Sequence, residues 1–249
     1  MTKQISHASS LTSLLLLLFF PIAQGEEVVM AFGHSIAPYS FPDTGKGLEL
    51  EIIGESLAYH GHILKPVFYP LVRVPRAFES KLVDAAMTDL GRDLSAKGAF
   101  YGNPAVIYEN VLFSLAERNL KVSTPIDLMN LSMVAFQGAT KRYPAWAEAA
   151  KKNGHYFETA QQHLQSKMLL TGRVDLVLSD RSIFKYFLRD ALKEGEIQPS
   201  IDVHSVFTED PMNYRPLFHS QKIRDDFNEG LTQLISTGRL QELYDYYTN

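Results

Sequence analysis

Apolar positions along this chain follow two alternating rhythms. Short unbroken runs, such as Val28-Val29-Met30-Ala31-Phe32 ending at Gly33, have the length of buried strands. Longer stretches space their apolar residues as one face of a helix does. Gly47 to Tyr59 is of this second kind, with Leu48, Leu50, Ile52, Ile53 and Leu57 apolar and Gly61 just past its end. The alternation then continues with a strand at Ile63 to Phe68, a helix at Arg73 to Leu82 interrupted by Pro75, and a strand-like Val83 to Met87. Val106 to Leu115 is a long β-prone run, and Thr124-Pro125 opens a helical turn with Pro at the first position. Leu131 to Phe136 predicts a strand and Gly138 to Lys152 a helix closed by Gly154. Ala160 to Leu170 predicts a helix followed by Gly172, Val174 to Leu178 a buried strand, and Arg181 to Leu192 a helix. Ser220 caps a helix with Ile223, Phe227, Leu231, Leu234 and Ile235 on one face, and Leu240 to Tyr247 adds a short last helix.

Strand and helix in alternation predict an α/β fold with mostly parallel sheets. The pattern starts afresh after Leu115, and the polar segment Glu117 to Thr124 reads as a crossing between two lobes. A second crossing is expected around Thr208 to Pro216. One lobe then comprises residues 26–116 plus 214–249 and the other residues 117–213. The cleft between them is the default ligand site.

The first 25 residues have a different pattern. Lys3 is followed by the apolar run Leu11 to Ile22, by Pro21 within it, and by Ala23-Gln24-Gly25. This reads as a secretory signal peptide cleaved after Gly25, since the run is shorter than the roughly 20 apolar residues of a membrane span. The expected location is the periplasm. The net charge of -4 leaves no basic surplus to neutralise a phosphate backbone, which argues against nucleic acid as a partner. The absence of cysteine excludes disulfides, thiolate metal sites and thiol catalysis. His60 and His62 are too few ligands for a zinc site, no phosphate loop or G-x-S-x-G elbow is present, and no cofactor is implied.

Four segments carry a family resemblance. Ala37-Pro38-Tyr39-Ser40-Phe41, followed by Gly45-Lys46-Gly47-Leu48-Glu49-Leu50-Glu51-Ile52-Ile53, is similar to the opening "PPYSF … GKGIEVDII" of the family 3 extracellular solute-binding proteins. Asp127-Leu128 leading into Val134-Ala135-Phe136-Gln137-Gly138-Ala139-Thr140 resembles the strand and Q-G-T/S-T turn that open the family's second lobe. Gly172-Arg173-Val174-Asp175-Leu176-Val177-Leu178-Ser179-Asp180 is close to "GRVDAVVTD", and Phe227 to Tyr247 repeats the family's C-terminal rhythm. The resemblance implies the two-lobed type II periplasmic-binding-protein fold and a receptor that delivers amino acids to ABC importers.

An amino acid needs a partner for its carboxylate, its ammonium and its side chain. The turn Gln137, Gly138, Ala139, Thr140 lies between strand and helix, where free N–H groups suit a carboxylate or form an ordinary capped turn. Asp180 matches the family's ammonium-binding Asp, and it is equally placed to cap the helix from Arg181 onward. Tyr39 and Phe41 are candidates to hold the ligand side chain, with packing under the loop the alternative for Phe41; Trp146 reads as packing. The chain departs from the family at its T-x-x-R anchor. The nearest segment is Thr88-Asp89-Leu90-Gly91-Arg92, where Asp89 replaces the Thr and would repel an anion. Arg92 and, in Pro70-Leu71-Val72-Arg73, Arg73 are the two candidate anion anchors; a solvated helix face is the alternative for Arg73.

The function expected on these grounds is capture of a small polar solute, an amino acid or related compound, by a monomer that hands it to an inner-membrane ABC permease. The alternatives are a ligand-sensing subunit docking on a receptor's periplasmic domain, and a dehydratase-like enzyme on the same fold, for which no general acid can be placed in the cleft.

Overall fold

The computed structural model describes residues 25–34, 36–192, 199–208, 210 and 214–248. The segment read as an export signal lies outside the described residues except for Gly25. The described residues form an α/β structure with two five-stranded sheets. No helix among them is long and apolar enough to cross a membrane.

The first sheet has the order β2 (Ile63–Tyr69), β1 (Glu27–Gly33), β3 (Ala85–Ala86), β10 (Leu217–Phe218), β4 (Phe100–Tyr101). Helices α1 (Leu48–Ala58), α2 (Val74–Glu79), α7 (Gln221–Ser236) and α8 (Arg239–Thr248) belong with it. The second has the order β7 (Tyr156–Thr159), β6 (Met133–Phe136), β8 (Leu176–Asp180), β5 (Asn110–Leu115), β9 (Ile201–His204). It carries α3 (Ala139–Arg142) and α4 (Pro144–Lys151) on one side, and α5 (His163–Leu170) and α6 (Arg181–Ala191) on the other.

In each sheet three strands run parallel, β2-β1-β3 and β7-β6-β8. The other two pair antiparallel: β10 with β3 and β4, and β5 with β8 and β9. The sheets are thus less parallel than the alternation of elements suggests. The short strands β4, β9 and β10 lack a long apolar run of their own, and they supply much of the difference.

Sheet membership also moves the first crossing. The run Val106–Leu115 is not one strand of the first lobe: Asn110 pairs with Asp180 and Leu112 with both Leu178 and His204. The chain therefore changes sheet before β5, not at Glu117 to Thr124. It returns to the first sheet between β9 and β10.

Strand alternation explains why the second sheet has two cores. Met133, Ala135, Leu176, Leu178 and Leu112 point to the α4 side, whereas Val134, Val177, Val111 and Phe113 point to the α5–α6 side. Two prolines set helix boundaries. Pro75 stands in the first turn of α2, where its missing N–H costs nothing, and so begins the helix it was expected to interrupt. Pro144 divides the helix expected from Gly138 to Lys152 into α3 and α4, because the residue before a proline is pushed out of helical conformation and Tyr143 sits at φ -127°, ψ 63°. Ser220 caps α7 through the Ile223 N–H at 3.3 Å, but Ile235 points outward, 57% exposed.

Helices α1 and α7 press together at Gly230. A Cβ there would stand 1.9 Å from the Ser56 carbonyl oxygen. Gly54, by contrast, would put its Cβ 3.5 Å from Leu64 Cδ2, an ordinary contact. Gly54→Ala is expected to raise stability by about 0.5–1 kcal/mol through helix propensity. Gly230→Ala is expected to lower it by about 1–3 kcal/mol or more, since backbone must shift. Urea denaturation of both variants checks this; a Gly230→Ala protein as stable as wild type would contradict the packing described.

Candidate functional site

The site is built from the loop after β1, the first crossing, and the ends of β6 and β8. Gly47 closes that loop at φ 137°, and a Cβ there would lie 2.3 Å from the Tyr39 carbonyl oxygen. The tight closure lets Leu48 N–H and Glu49 N–H donate to the carbonyls of Pro38 and Tyr39 at 3.0 and 3.1 Å. The first amides of α1 are thereby satisfied within the chain.

The same closure buries Tyr39, 1% exposed, against the end of the second sheet. Its hydroxyl donates to Asp180 Oδ1 at 3.2 Å. Asp180 Oδ1 also accepts from Ser182 N–H and Ile183 N–H at 2.9 and 3.0 Å, and Oδ2 from Glu109 N–H at 2.8 Å. Asp180 is therefore the N-cap of α6 and a tie between the lobes at once. Burial pushes its carboxyl up to about 6, against the opposing pull of the N–H donors from Ile183 and Glu109. Tyr39 and Asp180, expected to face each other across a solute, are in direct contact.

A row of rings extends from this contact. Tyr39 lies 4.3 Å from Tyr108 in the first crossing, and Tyr108 lies 4.7 Å from Tyr214 in the second. The Arg142 guanidinium of α3 sits 4.7 Å from the Tyr214 ring centre, a cation–π distance. Asn110 Nδ2 donates to the Tyr214 hydroxyl at 3.0 Å. Behind the row, Tyr108 donates to Glu49 Oε2 at 3.3 Å. Glu49 is 1% exposed, and burial pushes its carboxyl up to about 8, with the Tyr108 hydrogen bond opposing.

The turn after β6 is held by the neighbouring strand. Gly138 N–H donates to Glu158 Oε2 at 2.7 Å and Thr140 N–H to Glu158 Oε1 at 2.6 Å. Gln137 is exposed with its N–H on the Thr159 carbonyl at 3.0 Å, and Ala139 is buried in the core of the second lobe.

The remaining candidates are engaged elsewhere. Phe41 packs edge-on to Tyr186 of α6 at 5.6 Å and over Tyr247 of α8 at 6.4 Å. Asp89 accepts from Gly91 N–H at 2.7 Å and from the Tyr101 hydroxyl at 2.6 Å, closing its own loop. Arg92 pairs with Glu79 of α2 at 3.1 Å. Arg73 is exposed in the turn Leu71–Arg73, with no ion pair among the described residues. Direct contact thus joins only Tyr39 and Asp180 among the candidates outside the 137–140 turn. Two concavities, one bordered by Pro125, Ile126 and Met129 and the other by Leu120, Lys121 and Val122, lie on the second lobe and include none of these groups.

Glu49, Tyr108, Arg142, Glu158 and Tyr214 escaped the sequence reading. Glu49 carried one available signal, as a carboxylate among the apolar positions of α1.

Solved structures match this architecture over most of its length. An ancestral arginine-binding protein bound to arginine superposes with a TM-score of 0.66 at 14% identity, covering 90% of this chain and 98% of that one. A histidine kinase sensor domain with similarity to periplasmic binding proteins gives 0.69 at 17% identity, covering 90% and 96%. An amino acid ABC transporter substrate-binding protein from Streptococcus pneumoniae bound to L-arginine gives 0.67 at 18% identity, covering 89% and 94%. The chain has the two-lobed periplasmic-binding-protein fold. No family model matches its sequence, and no curated protein does.

The two buried carboxyls make stability pH-dependent in a definite direction. Glu49 holds its proton in the folded chain up to about pH 8, whereas the unfolded chain releases it near 4.5. Asp180 does the same between 3.8 and about 6. The folded state binds more protons over both windows, so stability falls as pH rises from about 4 to 8, on the order of a few kcal/mol in all. Urea midpoints at pH 5 and pH 8 should show this fall, and Glu49→Gln should remove much of it. A midpoint that climbs from pH 5 to 8 would contradict the burial of both groups.

Proposed function

We propose that this chain is an exported solute receptor that takes a small polar solute, an amino acid or a related compound, between its lobes. The carrying observation is the pair of crossings. Tyr108 and Tyr214 bring them against one another, and Tyr39–Asp180 is the adjoining contact between lobes. Two lobes joined by two crossings can bend about them as rigid bodies and enclose a ligand. The likeness to two arginine-bound proteins, one of them an ABC transporter substrate-binding protein, across about nine-tenths of the chain supports the same reading. Delivery to an ABC permease is the proposed role, with the monomer as the working form and residues 1–25 as its export signal. The histidine kinase sensor domain among the matches supports a second reading, in which the closed receptor signals to a receptor's periplasmic domain.

Within this proposal the turn at 137–140 and the row Tyr39, Tyr108, Tyr214 line the cleft. Asp180 acts as the fixed point of closure, and Arg73 and Arg92 stay outside. A thermal-shift screen of amino acids, polyamines and small carboxylates tests the function. A ligand at 100 times its dissociation constant should stabilise the protein by about 2.7 kcal/mol. Solution scattering with that ligand should show a smaller radius of gyration. A complete screen with no stabilising compound, or saturation without compaction, would count against a closing receptor.

A further inference from the structure

The amide pair that would receive a solute carboxylate in the second lobe is already occupied. Strand β7 lies beside β6 with Glu158 opposite Ala135, so the Glu158 side chain reaches the turn that follows β6. Its two oxygens take Gly138 N–H and Thr140 N–H at 2.7 and 2.6 Å. Tyr156, two residues earlier on the same face of β7, donates to Oε1 at 2.8 Å and lies 3.2 Å from Thr140 Oγ1. These short, charge-assisted contacts are the geometry that an anionic ligand would adopt there. Burial alone would raise the Glu158 carboxyl. The hydrogen bonds from Thr140, Gly138 and Tyr156 outweigh it and hold the group below the ordinary carboxylate range.

Glu158 meets only neutral donors. No Lys or Arg among the described residues pairs with it, and Oε2 accepts one hydrogen bond there, from Gly138. Of the two cations that follow the turn, Lys141 is exposed and Arg142 lies against the rings of Tyr143 and Tyr214 at 5.8 and 4.7 Å. At the amides themselves, where a solute carboxylate would have to sit, the group in place is thus a carboxylate.

We propose that Glu158 is a specificity-determining residue of the cleft. It keeps solute carboxylates off the turn at 137–140 and selects a solute that presents an amine or guanidinium cation to the second lobe. This rests on the reading of the chain as a solute receptor and adds the ligand's charge class to it. A tethered carboxylate competes at an effective concentration in the millimolar range or above, so a free carboxylate at micromolar concentration does not displace it.

Two measurements test this. In the first, backbone amide resonances of the whole mature protein are followed by NMR during addition of acetate. Wild-type Gly138 and Thr140 should stay in place, whereas Glu158→Ala, and more weakly Glu158→Gln, should show them moving saturably. Equal movement in wild type and both variants would overturn the proposal, as would no movement in either variant. In the second, calorimetry compares agmatine with L-arginine, which differ by the carboxylate. Agmatine should bind wild type at least about tenfold more tightly, and Glu158→Ala should shift that ratio at least about tenfold towards arginine. An unchanged ratio would overturn the selection. If neither compound binds either protein, selection for these cationic probes fails, while the ligand screen separately decides whether the chain is a receptor.

Discussion

One buried carboxylate ties together the first lobe, the first crossing and the second sheet. Asp180 accepts from two amides of its own helix, from an amide of the first crossing, and from a hydroxyl of the first lobe. Capping a helix with Asp is a local device worth about 1 kcal/mol. Here the same oxygens also fix where the first crossing enters the second sheet. Because Asp180 is buried, each unsatisfied donor or lone pair would carry a desolvation cost, so the four donors are held together by necessity.

Helix α6 carries this constraint into the packing. Ile183 belongs to the core of the first lobe and Phe187 packs against that core, whereas Phe184 and Leu188 lie in the second. Residues four apart share a face, so one helix offers each lobe its own stripe. The Phe184 ring stacks on Phe113 at 3.9 Å, anchoring α6 to β5. The Tyr186 ring meanwhile meets Phe41 of the first lobe. Any bending between lobes must therefore slide the Ile183–Phe187 stripe while the Phe184–Leu188 stripe stays in place.

The sequence disclosed the long elements because their apolar periodicity is set by burial on one face. Asp180 could also be read as a helix cap from its position before Arg181. It disclosed less where a residue's role depends on partners far along the chain. Tyr108 looked like one more residue of a β-prone run, and only its contact with Tyr39 and Tyr214 sets it apart. Glu158 stands in a strand with no apolar run, twenty residues from the turn it occupies. The two-residue strands β3, β4 and β10 exist because neighbours offer them hydrogen bonds, which no local pattern records. The sequence did separate Asp89 and Arg92 from the family's anchor, and their engagement with Tyr101 and Glu79 fits that departure.

The close approach of α1 and α7 has a consequence for how the chain assembles. The contact at Gly230 and Ser56 joins segments separated by the entire second sheet. Strand β10, which bridges β3 and β4, also comes from this late segment. The second sheet draws all its strands from one continuous stretch and needs nothing that follows β9 to pair them. A chain emerging from its N-terminal end can therefore complete the second lobe while the first still lacks the strand that joins β3 to β4 and its largest helix. Contacts of such long sequence separation close late, and until they do the side of α1 that faces α7 remains uncovered. The final helices thus act as a closing clasp on the first lobe.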